Sequence, residues 1–129
     1  MVLKKIALDT NFLVYCAENK IDYKESIDEI MNEGYELIVP QQVLVELEQI
    51  SKESKKYSDK QAAQLSLKIL KANKIPIINV LSRYADDALI KLAKREGAII
   101  ATIDLELRKK LGRLNQVIVI EGIKRVTFD

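Results

Sequence analysis

Asp9, Asp86 and Asp104, together with Glu46 or Glu48, are the side chains through which this sequence could do chemistry. The chain has no histidine and one cysteine, Cys16. That removes Ser-His and Cys-His nucleophile pairs, argues against a zinc site and excludes an internal disulfide. Cys16 falls in an apolar helical stretch and reads as a small buried side chain. Carboxylates remain. Two like charges about 4 Å apart repel by about 4 kcal/mol at an effective dielectric near 20. A cluster of them destabilises the fold or raises its own pKa values unless a cation balances it. Hard divalent ions such as Mg²⁺ and Mn²⁺ prefer carboxylate and water oxygens. An oxygen-only cluster therefore points to phosphate chemistry, in which the ion generates a hydroxide nucleophile and offsets charge on the phosphate. The condition is that the acids meet in space.

The elements that must bring them together are legible as an alternation. Residues 2–8 read as a buried strand that runs into Asp9. Helices are expected at 11–18 and 24–32, the second capped by Gly34. A short strand at 36–39 closes at Pro40. A helix at 41–50 carries Val43, Leu44, Leu47 and Ile50 on one stripe, with Glu46 and Glu48 on opposite margins of it. Periodicity does not choose between those two. A polar stretch at 51–58 precedes a helix at 59–72, with Ala62, Leu65 and Ile69 on its apolar side. A strand at 77–80 leads to the clearest helix, 82–96, capped by Ser82 and ended by Gly97. On that helix Ala85, Ala88, Leu89, Leu92 and Ala93 form one face. Asp86 lies roughly 90° from the centre of the face and Asp87 roughly 170° away. Asp86 can look into a cleft beside the core, whereas Asp87 points to solvent. A strand at 98–101 leads to Asp104, a short helix spans 105–111 before Gly112, and strands follow at 117–120 and 125–128.

Strands separated by helices require crossover connections, hence an α/β fold with a mostly parallel sheet covered on both faces. Ligands bind such sheets beyond the carboxyl ends of the strands, where Asp9 and Asp104 lie. The 129 residues suit a single domain over 1–129. Hydrophobic residues at 48% and charged residues at 31% are an ordinary globular balance. No apolar run approaches the roughly twenty residues of a membrane span. The amino terminus lacks the apolar stretch of a signal peptide. A cytoplasmic protein with no membrane contact is expected. The net charge of +2 does not announce nucleic acid by itself.

The segments Leu8-Asp9-Thr10-Asn11-Phe12-Leu13, Val39-Pro40 with Glu46-Leu47, Ala85-Asp86-Asp87-Ala88-Leu89-Ile90 and Ala101-Thr102-Ile103-Asp104 closely resemble the PIN domain, in order and over nearly the whole chain. The resemblance implies a three-layer α/β/α sandwich. It implies a Mg²⁺- or Mn²⁺-dependent endoribonuclease, a hydrolase acting on single-stranded RNA. By motif, Asp9, Glu46, Asp86 and Asp104 match the acidic quartet that is both catalytic and metal-binding. Thr10, Asn11 and Thr102 match the positions that brace it. The chain is similar to VapC-type toxins and to small-subunit rRNA-processing PIN proteins, leaning slightly to the second. RNA is the implied substrate. An antitoxin or a ribosome-assembly factor, and a second copy in a homodimer, are the implied partners.

Arg108, Lys109, Lys110 and Arg113 follow Asp104. Of these Arg108, Lys109 and Arg113 are candidates for RNA contact, with Lys109 and Arg113 sharing a helix face; the alternative is that helix-end cations favour the dipole. Lys52, Lys55, Lys56 and Lys60 read as a solubilising stretch. Two rival readings stand. A dehalogenase-like phosphatase needs a second Asp two residues after the first, where this chain has Asn11. A catalytically inactive PIN-like RNA- or protein-binding module is opposed by the four filled acidic positions.

Overall fold

The computed structural model describes residues 2–113 and 115–129. Met1, with which the expected domain over 1–129 begins, lies outside the described residues, as does Leu114. The elements run β1 (Lys4–Leu8), α1 (Thr10–Glu18), α2 (Tyr23–Ile30), β2 (Tyr35–Pro40), α3 (Gln41–Glu53), α4 (Tyr57–Ala72), β3 (Ile77–Ile78), α5 (Ala85–Glu96), β4 (Ile99–Ala101), α6 (Leu105–Leu111), β5 (Val117–Glu121) and β6 (Arg125–Phe128). The strands form one six-stranded sheet in the order β3-β2-β1-β4-β5-β6. All pairs are parallel except β5 with β6. The expected α/β architecture with a mostly parallel sheet is the one observed.

Alternation along the strands separates two cores. Ile6, Leu8, Val39, Ile99 and Ala101 face the layer of α1 to α4, with Phe12, Leu13, Val43 and Leu47 packed on them. Ala7, Ile38 and Ile100 face the other way, against Leu89 and Leu92 of α5 and Leu107 of α6. Both sheet faces are thus covered, which is why the central strands read as near-continuous apolar runs. Each fully buried Leu or Ile stabilises by about 1.5–3 kcal/mol through water exclusion.

Helix α5 buries Ala85, Ala88, Leu89, Leu92 and Ala93, the five positions its periodicity selects. Gly97 ends it in the left-handed region at φ 65°.

Several local expectations are corrected. Helix α2 stops at Ile30 with an extended Met31, not at Gly34. The Gly34 carbonyl instead accepts from Lys4 N–H at 3.0 Å, which starts the β1–β2 register. Tyr84, not Ser82, is the N-cap of α5. The strand expected at 77–80 pairs only at Ile77–Ile78. Helix α4 turns Ala62, Ala63, Ser66 and Leu70 inward and leaves Leu65 exposed. The cause is Ser66, whose buried hydroxyl is satisfied by the carbonyls of Ala62 and Leu13. A polar residue with internal partners sits where a hydrophobicity pattern would not put one. No described helix is long and apolar enough to cross a membrane.

Candidate active site

After β1 the chain crosses to β2 on one side; after β3 it crosses back to β4 on the other. The carboxyl ends of β1 and β4 therefore flank the point where the winding reverses, the place where open α/β sheets bind their ligands. The parallel register sets Leu8 beside Ala101. Asp9 extends this ladder by donating its N–H to the Ala101 carbonyl at 2.9 Å.

Asp9 is also the N-cap of α1, and its Oδ1 accepts from Thr10 N–H at 2.8 Å. Its Oδ2 accepts from the Thr102 hydroxyl at 2.7 Å. The same hydroxyl oxygen accepts from Asp104 N–H at 3.0 Å. Asp104 in turn caps α6, its Oδ1 accepting from Glu106 N–H at 2.9 Å and Leu107 N–H at 3.3 Å. Thr102, fully buried, therefore ties the turn after β4 to the end of β1. From α3, Glu46 enters by accepting a short hydrogen bond from the Thr10 hydroxyl. Asp86 projects from the first turn of α5, half-buried, with the Lys110 ammonium 4.0 Å away.

The charges report that these acids share one field. Asp9 is pushed up to about 6, first by burial; the hydrogen bonds from Thr102 and Thr10 oppose the rise, while the charges of Asp86 and Glu46 add to it. Asp86 is raised as well, by burial and then by the charge of Asp104, with Lys110 opposing and Asp87 adding. Two buried or half-buried carboxyls held up partly by neighbouring negative charge leave a surplus that a cation would balance.

At this winding reversal the charges of Asp86 and Glu46 act on Asp9, and that of Asp104 acts on Asp86. The choice that periodicity left open at α3 falls on Glu46, since Glu48 is exposed. Asp87 is exposed, as its place on the wheel implies. Thr10 and Thr102 touch the cluster, but Asn11 is exposed and makes no hydrogen bond to the acids among the described residues. The basic residues are redistributed. Arg108 is held by Asp129 at 2.7 Å, against the end of the antiparallel β6. Lys109 is exposed, 3.8 Å from Glu106. Arg113 lies past Gly112, outside α6, so it shares no helix face with Lys109. Lys110 is the member of the run that reaches one of the four candidate acids, Asp86. Its membership in the basic run was the only available signal, since the run alone does not say which member turns inward.

Among the described residues, no group of three or more His, Cys, Asp or Glu side chains is arranged to hold a metal ion as the side chains stand. The donor set is nonetheless all oxygen and surplus in negative charge. It suits a hard ion that keeps several waters and takes one or two carboxylates directly, the habit of Mg²⁺.

Residues 6–123 match the family described as PIN like domain. The chain is 33% identical over 108 residues to Ribonuclease VapC4 of Methanocaldococcus jannaschii, covering 83% of this chain and 82% of that protein. Its fold resembles the PIN domain endonuclease Utp24, with a TM-score of 0.76 and 21% identity over 95% of this chain and 90% of the other. It also resembles a chain of VapBC2 from Rickettsia felis bound to a DNA fragment from its promoter, with a TM-score of 0.64 and 19% identity over 91% of this chain and 99% of the other. The chain belongs to the PIN-like domain family.

Proposed function

We propose that this protein is a divalent-metal-dependent endoribonuclease that hydrolyses phosphodiester bonds of single-stranded RNA. The observation that carries the reading is the linkage of Asp9 to Asp104 through Thr102 at the winding reversal, with Glu46 and Asp86 in the same field. The relationship to Ribonuclease VapC4 supports the reaction class. Asp9, Glu46, Asp86 and Asp104 would hold Mg²⁺ or Mn²⁺. Such an ion, when bound, supplies a lowered pKa for an attacking water and offsets charge on the phosphate.

The chain's own residues do the positioning. Thr10 and Thr102 hold both oxygens of the Asp9 carboxylate, so its lone pairs are aimed before any ligand arrives. Asp104 is fixed by the α6 amides it caps. Lys110, 4.0 Å from Asp86, would offset its charge and could meet a phosphate oxygen of bound RNA.

Cleavage of a labelled single-stranded RNA with Mn²⁺ or Mg²⁺ tests this. The parent should cut, and chelation, Asp9→Asn and Asp104→Asn should each abolish cutting. Retained cutting in both variants rejects the assignment of Asp9 and Asp104, and no cutting by the parent rejects the reading in favour of an inactive PIN-like binding module. The identity to VapC4 favours a toxin-type role with an antitoxin partner over rRNA processing. Growth arrest on expression, relieved by co-expressing a neighbouring small antitoxin gene, tests that choice.

A further inference from the structure

Beside the acids, between α3 and the loop that leads into α5, runs a groove of about 530 Å³. Its walls differ in character from the acidic centre. Gln41, Gln42 and Gln49 line one side, Arg83 and Tyr84 the other, and Glu46 is common to the groove and the acid cluster. The Arg83 guanidinium lies 5.5 Å from the centroid of the Tyr84 ring. Tyr84 is 60% exposed, although it stands only two positions before Asp86. Arg83 makes no salt bridge among the described residues. The loop is held in place rather than loose: the Gln42 amide donates to the carbonyls of Val80 and Ser82, both at 2.7 Å. The other end of that amide, Oε1, is a buried acceptor with no partner among the described residues.

An exposed aromatic ring backed by a free guanidinium, on a pinned loop, with neutral amides opposite, is the chemistry that holds a nucleobase. The ring offers a stacking face, the cation tolerates the adjoining phosphate, and the amides present donors and acceptors to base edges. A peptide partner is less suited, because the exposed apolar side chains of the lining, Val45, Leu81 and Tyr84, are interleaved with the cation Arg83 and the amides of Gln41 and Gln49. We infer that this groove is a base-binding subsite, in which one nucleotide of single-stranded RNA beside the scissile phosphate stacks on Tyr84 with Arg83 at its phosphate. This rests on the nuclease reading for its substrate but not for its measurement.

The test uses short single-stranded oligoribonucleotides carrying one 2-aminopurine at successive positions. Binding is read by fluorescence in an Asp104→Asn background, so that cleavage plays no part. Quenching should appear at one position, survive in Tyr84→Phe and disappear in Tyr84→Ala. Affinity should fall by about 5- to 150-fold in Tyr84→Ala, the range expected for one stacked base. An abasic nucleotide at the quenched position should cost the Tyr84→Phe protein that same factor and cost Tyr84→Ala almost nothing. Equal affinity and equal quenching in the Tyr84→Ala and parent backgrounds would overturn the subsite and leave the groove to a protein segment. Absence of cleavage by the parent, with quenching intact, would sink the nuclease reading alone.

Discussion

Thr102 and Asp9 are 93 positions apart in sequence, yet a 2.7 Å hydrogen bond joins them in a fully buried setting. That one hydroxyl donates to a carboxylate and accepts from the amide of a second acid, so removing it disturbs two acids at once. Thr102→Val keeps the shape and deletes the donor. It should cost about 1–3 kcal/mol, because a buried carboxylate and a partly buried N–H each lose a partner. Urea unfolding at neutral pH measures it, with Thr102→Ser as the variant that keeps the hydroxyl. Equal stability of the valine variant and the parent would contradict the role given to Thr102.

Asp9 sets a pH dependence whose sign follows from the direction of its shift. Its folded pKa, about 6, lies above the ordinary 3.8. The fold therefore favours the protonated acid. Its contribution is fully present below about pH 4 and is lost as pH rises through about 6. A shift of that size corresponds to about 3 kcal/mol at neutral pH. In chelator, the stability of the parent should fall across this window, and Asp9→Asn should flatten the fall and exceed the parent at pH 7. With Mn²⁺ the order should reverse, since an ion that binds the folded parent raises its Tm more than that of the variant. Parallel melting curves, or equal Tm shifts with Mn²⁺, would remove Asp9 from the ligand set.

Lys110 and Arg108 should behave oppositely. The Lys110 side chain is 55% exposed and its ammonium lies 4.0 Å from Asp86, a pair worth about 0–1 kcal/mol in stability. Lys110→Gln should leave Tm nearly unchanged, weaken RNA binding and reduce the salt slope of that binding by about 0.7. Arg108, occupied by Asp129, should leave RNA affinity untouched when changed to Gln and lower Tm instead. Filter binding across a salt series separates the two, and a matching loss of RNA affinity in both variants would reject this assignment.

At the end of α4, Lys74 adopts φ 52°. Its N–H donates to Lys71 O at 3.1 Å and Ile75 N–H donates to Leu70 O at 3.0 Å, the paired bonds of a left-handed helix stop. A lysine there carries a steric cost that glycine lacks. Lys74→Gly should stabilise by about 1 kcal/mol, raising Tm by about 3–5 °C. A lower Tm would show that the helix end does not hold this strain.

What the sequence revealed and what it hid divide along physical lines. The α5 face was legible because one apolar stripe decides it, and the same stripe separates half-buried Asp86 from exposed Asp87. At α3 the stripe is symmetric about Glu46 and Glu48. The Thr10 hydroxyl, which binds Glu46, sits on another helix, so no local pattern reports it. The rotation of α4 depends on Ser66 finding a carbonyl on α1. The capture of Arg108 depends on β6 pairing antiparallel with β5 and delivering Asp129. Each of these is a contact between distant segments, and residue spacing carries no trace of it. Alternation of strands and helices, by contrast, is local, and it was enough to give the parallel sheet.

Asp9 and Asp104 each begin a helix by accepting backbone N–H groups, whereas Asp86 and Glu46 cap nothing. A descendant of this chain that no longer cut anything would still need a helix-capping side chain at both positions, which asparagine supplies as well as aspartate. Glu46 would be held only through one threonine, and Asp86 would be free to drift. Across relatives, then, the acid at the start of α5 should be the first to vary where cutting is lost, while positions 9 and 104 should keep a helix-capping side chain.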